Sequence, residues 1–153
     1  MHTFVDTAVS DATAHNLLAA YFAYRALTFP QADGYVPIFP APDDFTSPHG
    51  TFLVVELDGT PVGCGGIRSL GHGRFEVKHL WLQRATRGHG LGRALLAELE
   101  RRAIGLGATE LVLDTNSSLA AAGRLYRSSG FDDIEAYNDN PNATNWYSKP
   151  LST

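Results

Sequence analysis

Glycine occupies every second position of the segment 87–93, between an apolar stretch at 74–82 and a stretch with leucines in a four-residue row. This order predicts a strand, a turn and then an amphipathic helix that begins at the glycines. A helix start leaves backbone N–H groups unpaired, and glycine has no side chain to block access to them. We therefore expect an anion to bind at this segment.

The charge around these glycines is locally basic. No Asp or Glu occurs between Val77 and Ala97, whereas the chain as a whole has a formal net charge of −4. The lysine and arginines of this span are Lys78, Arg84, Arg87 and Arg93. Basic side chains beside the positive end of a helix dipole favour a polyphosphate. The net negative charge of the chain argues against unspecific binding to nucleic acid or to anionic lipid.

Three other interpretations of the glycine-rich segment compete with this one. A nucleotide-hydrolysing P-loop would need Lys and then Ser or Thr where the chain has Arg93 and Ala94. A dinucleotide-binding fold would need glycine in place of Arg93, although Asp114 lies where a ribose-binding acid is expected. A tight turn that only serves close packing explains one or two of the glycines, but not three that alternate beside arginines.

Two motifs together resemble the GNAT superfamily of N-acetyltransferases. The segment Arg87 to Gly92 is similar to the family's Arg/Gln-x-x-Gly-x-Gly/Ala loop, which binds the pyrophosphate of acetyl-CoA. The segment Leu125 to Phe131 is similar to its Leu-Tyr-x-x-x-Gly-Phe motif, and Leu113-Asp114-Thr115 precedes it like the family's strand. The matching region covers residues 74–135, less than half of the chain. The resemblance implies acetyl-CoA as co-substrate.

The periodicity and the resemblance together predict an α/β (α+β) fold. Its mixed, mostly antiparallel sheet has six or seven strands, a central parallel pair and helices on both faces. Strands are expected at about 2–9, 51–57, 62–70, 74–82, 111–113, 131–135 and 144–150, and helices at 11–28, after the glycines and at 117–129. Residues 1–153 are expected to form one domain, because 44% hydrophobic residues suffice for a single core.

The central strand 74–82 carries the first candidate catalytic residue. Strict alternation places Glu76, Lys78, Leu80 and Leu82 on one face of it, and Phe75, Val77, His79 and Trp81 on the other. Glu76 matches the acidic residue that many GNAT enzymes use as a direct or water-relayed base. The alternative is an ion pair of Glu76 with Lys78 on a half-solvated face. His79, opposite, is interpreted as a core or surface histidine.

The resemblance assigns further residues to catalysis and to the co-substrate. Tyr126 stands where the family often places the general acid that protonates the CoA thiolate. Leu80, Trp81 and Leu82 would bind the pantetheine arm through their backbone. The residues predicted to bind the pyrophosphate are Arg87, Gly88, His89, Gly90, Leu91, Gly92 and Arg93. Many family members have Asn where this chain has Leu119, so Asn116 is predicted either to contact the pantetheine or to cap the following helix.

The acceptor is expected between the proline-rich segment 29–48, the end of the first helix near Tyr24 and Arg25, and the loop 136–143. The proline-rich segment is too aromatic for a disordered linker. Its aromatic and acidic residues, Tyr35, Phe39, Phe45, Asp33, Asp43 and Asp44, could enclose a small amine and attract its cation. The substrate-binding candidates are Tyr24, Arg25, Phe39, Asp43 and Tyr137. The alternative is a lid that only shields the core.

The sequence thus predicts an enzyme that transfers acetyl directly from acetyl-CoA to a primary amine of a small, unidentified acceptor. The alternative is an inert acyl-CoA-binding or regulatory domain. Cys64 is expected to be a small buried residue rather than a nucleophile, and no metal-ligand spacing is evident, so no metal is expected. Without a signal sequence or an apolar run long enough for a bilayer, a cytoplasmic protein without membrane or nucleic-acid partners is predicted. Family members are often dimers, so a homodimer is compatible with the resemblance.

Overall fold

The computed structural model describes residues 1–29, 35 and 37–152. The strands are β1 His2–Asp6, β2 Gly50–Leu57, β3 Thr60–Gly71, β4 Arg74–Leu82, β5 Glu110–Thr115, β6 Asp132–Ile134 and β7 Asn145–Pro150. The α-helices are α1 Ala12–Thr28, α2 Leu91–Gly105 and α3 Ala120–Ser128, with short 3₁₀ helices at Pro42–Phe45 and Arg84–Thr86. No helix in the described ranges has both the length and the apolar character that crossing a bilayer requires.

The strands form one seven-stranded sheet in the order β1-β2-β3-β4-β5-β7-β6. Neighbouring strands are antiparallel except β4 and β5, which run parallel because α2 connects them. One hydrophobic core joins α2 and α3 to one face of the sheet, and a second core joins α1 and Pro42–Phe45 to the other. The mixed, mostly antiparallel sheet with a central parallel pair and helices on both faces is confirmed.

Local sequence signals place most of these boundaries. Asp11 caps α1, since its Oδ2 accepts a 3.0 Å hydrogen bond from the N–H of Thr13. Asp58 and Gly59, with φ angles of 51° and 84°, form the tight hairpin between β2 and β3. Gly130 follows α3 with a φ of 95°, the left-handed conformation in which a glycine commonly ends a helix. The helix itself begins at Ala120 rather than at 117.

The alternation of side chains along β4 breaks at His79, and the predicted assignment of faces is wrong beyond it. Lys78 lies opposite Gly66 and Trp81 lies opposite Cys64, so β4 has one extra residue between these pairs. His79 adopts a φ of 58°, which a β-bulge of this kind can accommodate. Leu80 and Leu82 therefore pack on the α2 side, away from the face of Glu76, while His79 turns to the α1 side.

The parallel pair opens at the middle of the sheet. Within the described residues, β4 pairs with β5 only from Arg74 to Glu76, opposite Glu110 to Val112. Past Glu76 the two strands diverge, which leaves the backbone of Val77 to Leu82 without a strand partner on that side. The gap leads towards the glycine-rich segment at the start of α2.

Candidate active site

The glycine-rich segment presents free backbone donors at the start of α2. Gly88 and Gly90 have φ angles of 83° and 76°, and a Cβ added to either would meet no atom within 4 Å. Both glycines therefore face open space and have a backbone conformation that other residues rarely adopt. The first helical bond of α2 runs from the N–H of Ala94 to the carbonyl of Gly90, at 3.1 Å. In the described part of the chain, no acceptor faces the N–H groups of residues 88–93.

Two arginines flank these donors and are held in place by neighbouring groups. Arg87 donates from Nε to the carbonyl of Leu82 at 3.0 Å and from Nη1 to the hydroxyl of Tyr24 at 3.2 Å. Its guanidinium also lies over the Tyr24 ring, 4.6 Å from the centroid. Arg93 donates from Nη2 to Oγ of Ser128 at 2.8 Å. Tyr24, predicted to bind the acceptor, thus lies beside the glycine-rich segment.

A cavity of about 540 Å³ lies between this segment, the end of β4 and the start of α3; we call it the loop cavity. The predicted co-substrate residues that line it are Leu80, Trp81, Leu82, Arg87, Gly88, Gly90, Gly92 and Arg93. His89 is exposed outside its wall, and Leu91 points into the α2 core. Residues 118–122 of the α3 start complete the wall, together with Leu125.

Asn116 is engaged by the chain itself and does not line the loop cavity. Its Nδ2 donates to the carbonyl of Asn142 at 3.1 Å, and its Oδ1 accepts from the N–H of Ser118 at 2.9 Å. The side chain is only 2% exposed. Of the two predicted roles for Asn116, the structure favours the local turn before α3 over contact with a ligand, although the residue preceding the helix is Leu119.

A second cavity, of about 460 Å³, lies beside α1 on the other side of the sheet opening; we call it the α1 cavity. Its aromatic wall consists of Tyr21, Phe22, Tyr35, Phe39 and Phe45. Its charged residues are Arg25, Arg68, Lys78, Asp44 and Asp114, and the amides of Asn138, Asn140 and Asn142 also line it.

The proline-rich segment contributes to the α1 cavity only in part as predicted. Phe39 lines it, packed edge-on against Phe22 with 4.8 Å between the ring centroids. Asp43 is exposed and lies outside the wall, whereas its neighbour Asp44 lines it. Residues 30–34 and 36 of the segment, including Asp33, lie outside the described residues.

The two cavities meet at Tyr21 and Arg25, which line both of them. The two side chains are one helical turn apart on α1, and Nη1 of Arg25 donates to the Tyr21 hydroxyl at 3.1 Å. Arg25 is among the predicted substrate-binding residues, whereas Tyr21 is not. The four-residue spacing of Tyr21 and Arg25 places both on the same side of a helix, and it is the only sequence signal for their contact.

Glu76 is fully buried and both of its oxygens are occupied. Oε1 accepts from Nε and Nη2 of Arg68, each at 2.8 Å, and Oε2 accepts from the hydroxyl of Tyr137 at 2.6 Å. Burial raises the pKa of Tyr137, and the negative charge of Glu76 raises it further. Lys78 does not pair with Glu76, so that alternative is wrong; its Nζ lies 3.4 Å from Oδ1 of Asp114.

Asp114 belongs to a second polar cluster in the α1 cavity that the sequence analysis missed. Its Oδ2 accepts from Nδ2 of Asn138 at 2.7 Å, and the Asn138 side chain is fixed in turn by Nε1 of Trp146 at 2.9 Å. Burial opposes ionisation of Asp114, but the Lys78 ammonium and the side chains of Asn138 and Asn140 outweigh it and hold its pKa below the usual range. The sequence has no local pattern that predicts this contact, because Asn138 lies in a loop far from Asp114 along the chain.

Tyr126 lies in the core on the α2 side, with its ring 5.9 Å from Phe131 and 5.8 Å from Tyr147. In the described part of the chain its hydroxyl has no hydrogen-bond partner, and it is not part of either cavity wall. Burial raises its pKa and Tyr21 adds to this, while Arg25 lowers it. Tyr126 therefore keeps its proton at neutral pH.

Two groups near the cavities are chemically quiet at neutral pH. Burial, and then the charges of Lys78 and Arg68, lower the pKa of His79 to about 3, so its imidazole is neutral. Burial raises the pKa of the Cys64 thiol to about 12, which makes it a poor nucleophile. Among the residues that the structure describes, no three His, Cys, Asp or Glu side chains are grouped to hold a metal ion.

The sequence of this chain is similar to those of known acetyltransferases. Residues 12–131 match the acetyltransferase (GNAT) family. An uncharacterized N-acetyltransferase of Schizosaccharomyces pombe is 40% identical over 96 residues, which are 61% of this chain and 59% of that protein. The first three curated relatives are matched over 54% to 59% of their own lengths, so the chain spans little more than half of each.

Solved structures share the whole fold. A protein of Klebsiella pneumoniae described as an acyl-CoA N-acyltransferase superimposes with a TM-score of 0.80 at 29% identity, covering 99% of each chain. A GNAT family acetyltransferase of Elizabethkingia anophelis with acetyl-CoA bound superimposes with a TM-score of 0.69, covering 98% of each chain. At 16% identity, the second likeness concerns the fold alone.

Proposed function

Since this chain belongs to the GNAT acetyltransferase family, we propose that it transfers the acetyl group of acetyl-CoA to the primary amine of a small acceptor. The observation that carries the proposal is the junction of the two cavities at Tyr21 and Arg25. One cavity ends at free backbone donors suited to a pyrophosphate, and the other is enclosed by aromatic and charged side chains suited to a small polar molecule.

In the proposed complex, acetyl-CoA occupies the loop cavity. The N–H groups of residues 88–93 bind the pyrophosphate, and Arg87 and Arg93 add positive charge beside it. The pantetheine arm lies in the gap between β4 and β5. There it forms hydrogen bonds with the strand backbone near Leu80 to Leu82, which the divergence of β5 leaves without a strand partner on that side.

The acceptor occupies the α1 cavity with its amine directed towards the junction. An ammonium group must lose a proton before it can attack the thioester. We assign this proton to Glu76 through Tyr137 or a water molecule, because both oxygens of Glu76 already accept hydrogen bonds and the residue is fully buried. The relay is thus favoured over direct contact between Glu76 and the amine.

The neutral amine then attacks the carbonyl carbon, a C–N bond forms and the C–S bond breaks. The electron pair of the C–S bond leaves with the CoA sulfur as a thiolate. Tyr126 is the proposed donor of a proton to this thiolate, consistent with a hydroxyl that stays protonated and has no hydrogen-bond partner among the described residues. As the amide forms, the nitrogen loses its second proton to solvent and solvent restores the proton of Tyr126, so the products are an N-acetylated amine and free CoA.

The test is direct: the purified protein is incubated with acetyl-CoA and a panel of amines, amino acids and polyamines, while free thiol and acetylated product are measured. We expect thiol release matched by acetylation of at least one amine. Binding of acetyl-CoA without release by any amine would support the inert acyl-CoA-binding domain instead. Competition of NADH for the same site would support a dinucleotide-binding protein.

A further inference from the structure

We infer that the acceptor carries a carboxylate in addition to its amine, and that Arg25 binds this carboxylate. The inference rests on the proposed function, because it concerns the acceptor of that reaction. It starts from Arg25, a cation that is only 8% exposed and that lines the α1 cavity.

The hydrogen-bond partners of Arg25 are neutral. Nη1 donates to the Tyr21 hydroxyl at 3.1 Å, and Nη2 makes a long contact of 3.4 Å with the carbonyl of Asn142. The guanidinium also lies over the ring of Tyr35, 5.1 Å from its centroid. Among the described residues, no carboxylate forms an ion pair with it. A buried guanidinium ordinarily has such a partner, because its desolvation is costly.

The carboxylates that could have neutralised Arg25 are engaged with other cations. Glu76 accepts two hydrogen bonds from Arg68, and Asp114 pairs with Lys78. Asp44 is 53% exposed and approaches only Arg68, at 3.9 Å. Among the described residues, none of these carboxylates forms an ion pair with Arg25.

The shape and chemistry of the cavity define the class of acceptor. A guanidinium binds a carboxylate through two parallel hydrogen bonds, and the position of Arg25 at the junction puts that carboxylate near the amine that reacts. The aromatic wall formed by Phe22, Phe39 and Phe45 suits an apolar side chain. An amino acid with an apolar or aromatic side chain combines these three features.

Arg25 also lines the loop cavity, so its anion could instead belong to the co-substrate. A second structural explanation is that Arg25 only ties α1 to the loop that contains Asn142. In both of these cases, replacing Arg25 would not change the preference of the enzyme for an acceptor with a carboxylate. If Arg25 binds the carboxylate of the acceptor, the replacement weakens that preference.

The experiment compares pairs of acceptors that differ only at the carboxylate, such as phenylalanine with phenylalaninamide and leucine with leucinamide. The ratio of kcat/KM for the acid to that for the amide is measured in the parent protein, in Arg25→Gln and in Arg25→Lys. Comparing ratios between proteins cancels the intrinsic difference in amine reactivity. We expect the ratio to fall about 10- to 100-fold in Arg25→Gln, as for loss of a hydrogen-bonded charge, and less in Arg25→Lys.

Binding without turnover gives a second readout. In the presence of CoA, calorimetry should detect hydrocinnamate, the carboxylate that lacks the amine, but not its amide, and the binding should be lost in Arg25→Gln. This measurement separates failure of the inference from failure of the proposed function. If no amine is acetylated but the carboxylate binds through Arg25, the reaction is wrong and the anion site stands.

Three outcomes would overturn the inference. The first is an unchanged acid-to-amide ratio in a folded Arg25→Gln protein. The second is a rise in KM for acetyl-CoA with no change for the acceptor, which would assign the anion to the co-substrate. The third is a larger acid preference in Asp33→Asn, which would identify Asp33, outside the described residues, as the counter-ion of Arg25.

Discussion

The Tyr137 hydroxyl donates a 2.6 Å hydrogen bond to Oε2 of Glu76, and together with Arg68 it occupies the oxygens of that carboxylate. No part of Glu76 reaches solvent. Neither residue lines the α1 cavity, so in the proposed relay a water molecule would carry the proton from the amine to the Tyr137 hydroxyl, which would pass one to Glu76. The relationship couples a residue of the central strand to the loop that follows β6.

Glu76→Gln tests whether this carboxylate accepts the proton of the acceptor amine. The amide keeps the size of the side chain and can still bond Tyr137, but it cannot take up a proton. We expect kcat to fall about 10²-fold or more at neutral pH, with a smaller loss at high pH where the amine is already neutral. Glu110→Gln is the matched control, because Glu110 pairs with Arg74 outside both cavities. Equal losses in the two variants would make the role of Glu76 structural.

Gly90→Asp tests the pyrophosphate site. The substitution adds a Cβ and a negative charge where the structure has open space before α2, so the Kd for acetyl-CoA should rise at least about 10-fold by charge repulsion. Gly107→Asp is the control at the other end of α2, with a φ of 96° and the same open surroundings. Both variants carry similar backbone strain. An unchanged Kd in Gly90→Asp, measured by calorimetry, would place the pyrophosphate elsewhere.

Much of the fold could be predicted because its signals are local. Asp11, Asp58-Gly59 and Gly130 each act within a few residues, so the sequence identifies the helix cap and the turns directly. The bulge at His79 could not be predicted, because it depends on the pairing of β4 with β3 and a histidine is only a weak signal for a positive φ. Because of this one extra residue, the side chains that follow it in β4 point to the faces opposite to those predicted.

The family motif names residues that prove to line a cavity, whereas residues brought together by long-range contacts have no such signal. The glycine-rich segment lies at the wall of the loop cavity, and its role in binding acetyl-CoA stays a prediction. The pairing of Lys78 with Asp114 and the link from Asn138 to Asp114 join β4, β5 and a distant loop. Sequence spacing contains no information about such contacts, and only the tertiary arrangement brings these residues to one cavity.

Tyr126→Phe tests the proposed proton donor to the thiolate. The variant loses only a hydroxyl that has no hydrogen-bond partner among the described residues, so its thermal stability should be close to that of the parent protein. We expect kcat to fall about 10²- to 10⁴-fold when chemistry is limiting. Tyr147→Phe removes another hydroxyl from the same aromatic cluster and should leave kcat nearly unchanged. If Tyr126→Phe keeps the parent rate while Tyr21→Phe does not, Tyr21 is the donor.

His79 should make the stability of the protein depend on pH. Its pKa is about 3 in the folded state and 6.5 ordinarily, so between these values the unfolded chain binds a proton that the folded chain does not. His79 therefore leaves the free energy of unfolding at its full value above about pH 6.5 and lowers it as the pH falls towards 3. Between pH 7.5 and pH 5 we expect the free energy of unfolding to fall by up to about 2 kcal/mol from this residue.

Urea unfolding of His79→Asn at both pH values checks this contribution. Asn tolerates the left-handed backbone, so the change should lower stability at both pH values but remove much of the difference between them. His72→Asn is the control, because His72 is exposed and has a similar φ of 56°. A pH difference that is the same in all three proteins would contradict the lowered pKa of His79.

The last prediction separates two adjacent acidic residues of the proline-rich segment. Asp44 lines the α1 cavity and lies 3.9 Å from Arg68, whereas Asp43 is exposed outside the cavity wall. If the acceptor enters the α1 cavity as a cation, Asp44→Asn should raise its KM several-fold, and Asp43→Asn should leave KM unchanged. Phe39→Ala should raise KM for acceptors with apolar side chains, because the substitution removes part of the aromatic wall beside Phe22. Affinity for acetyl-CoA is measured in each variant and should not change. Equal KM values for Asp43→Asn and Asp44→Asn, with a verified acceptor, would move the acceptor's ammonium away from this wall and towards the loop that contains Asn138.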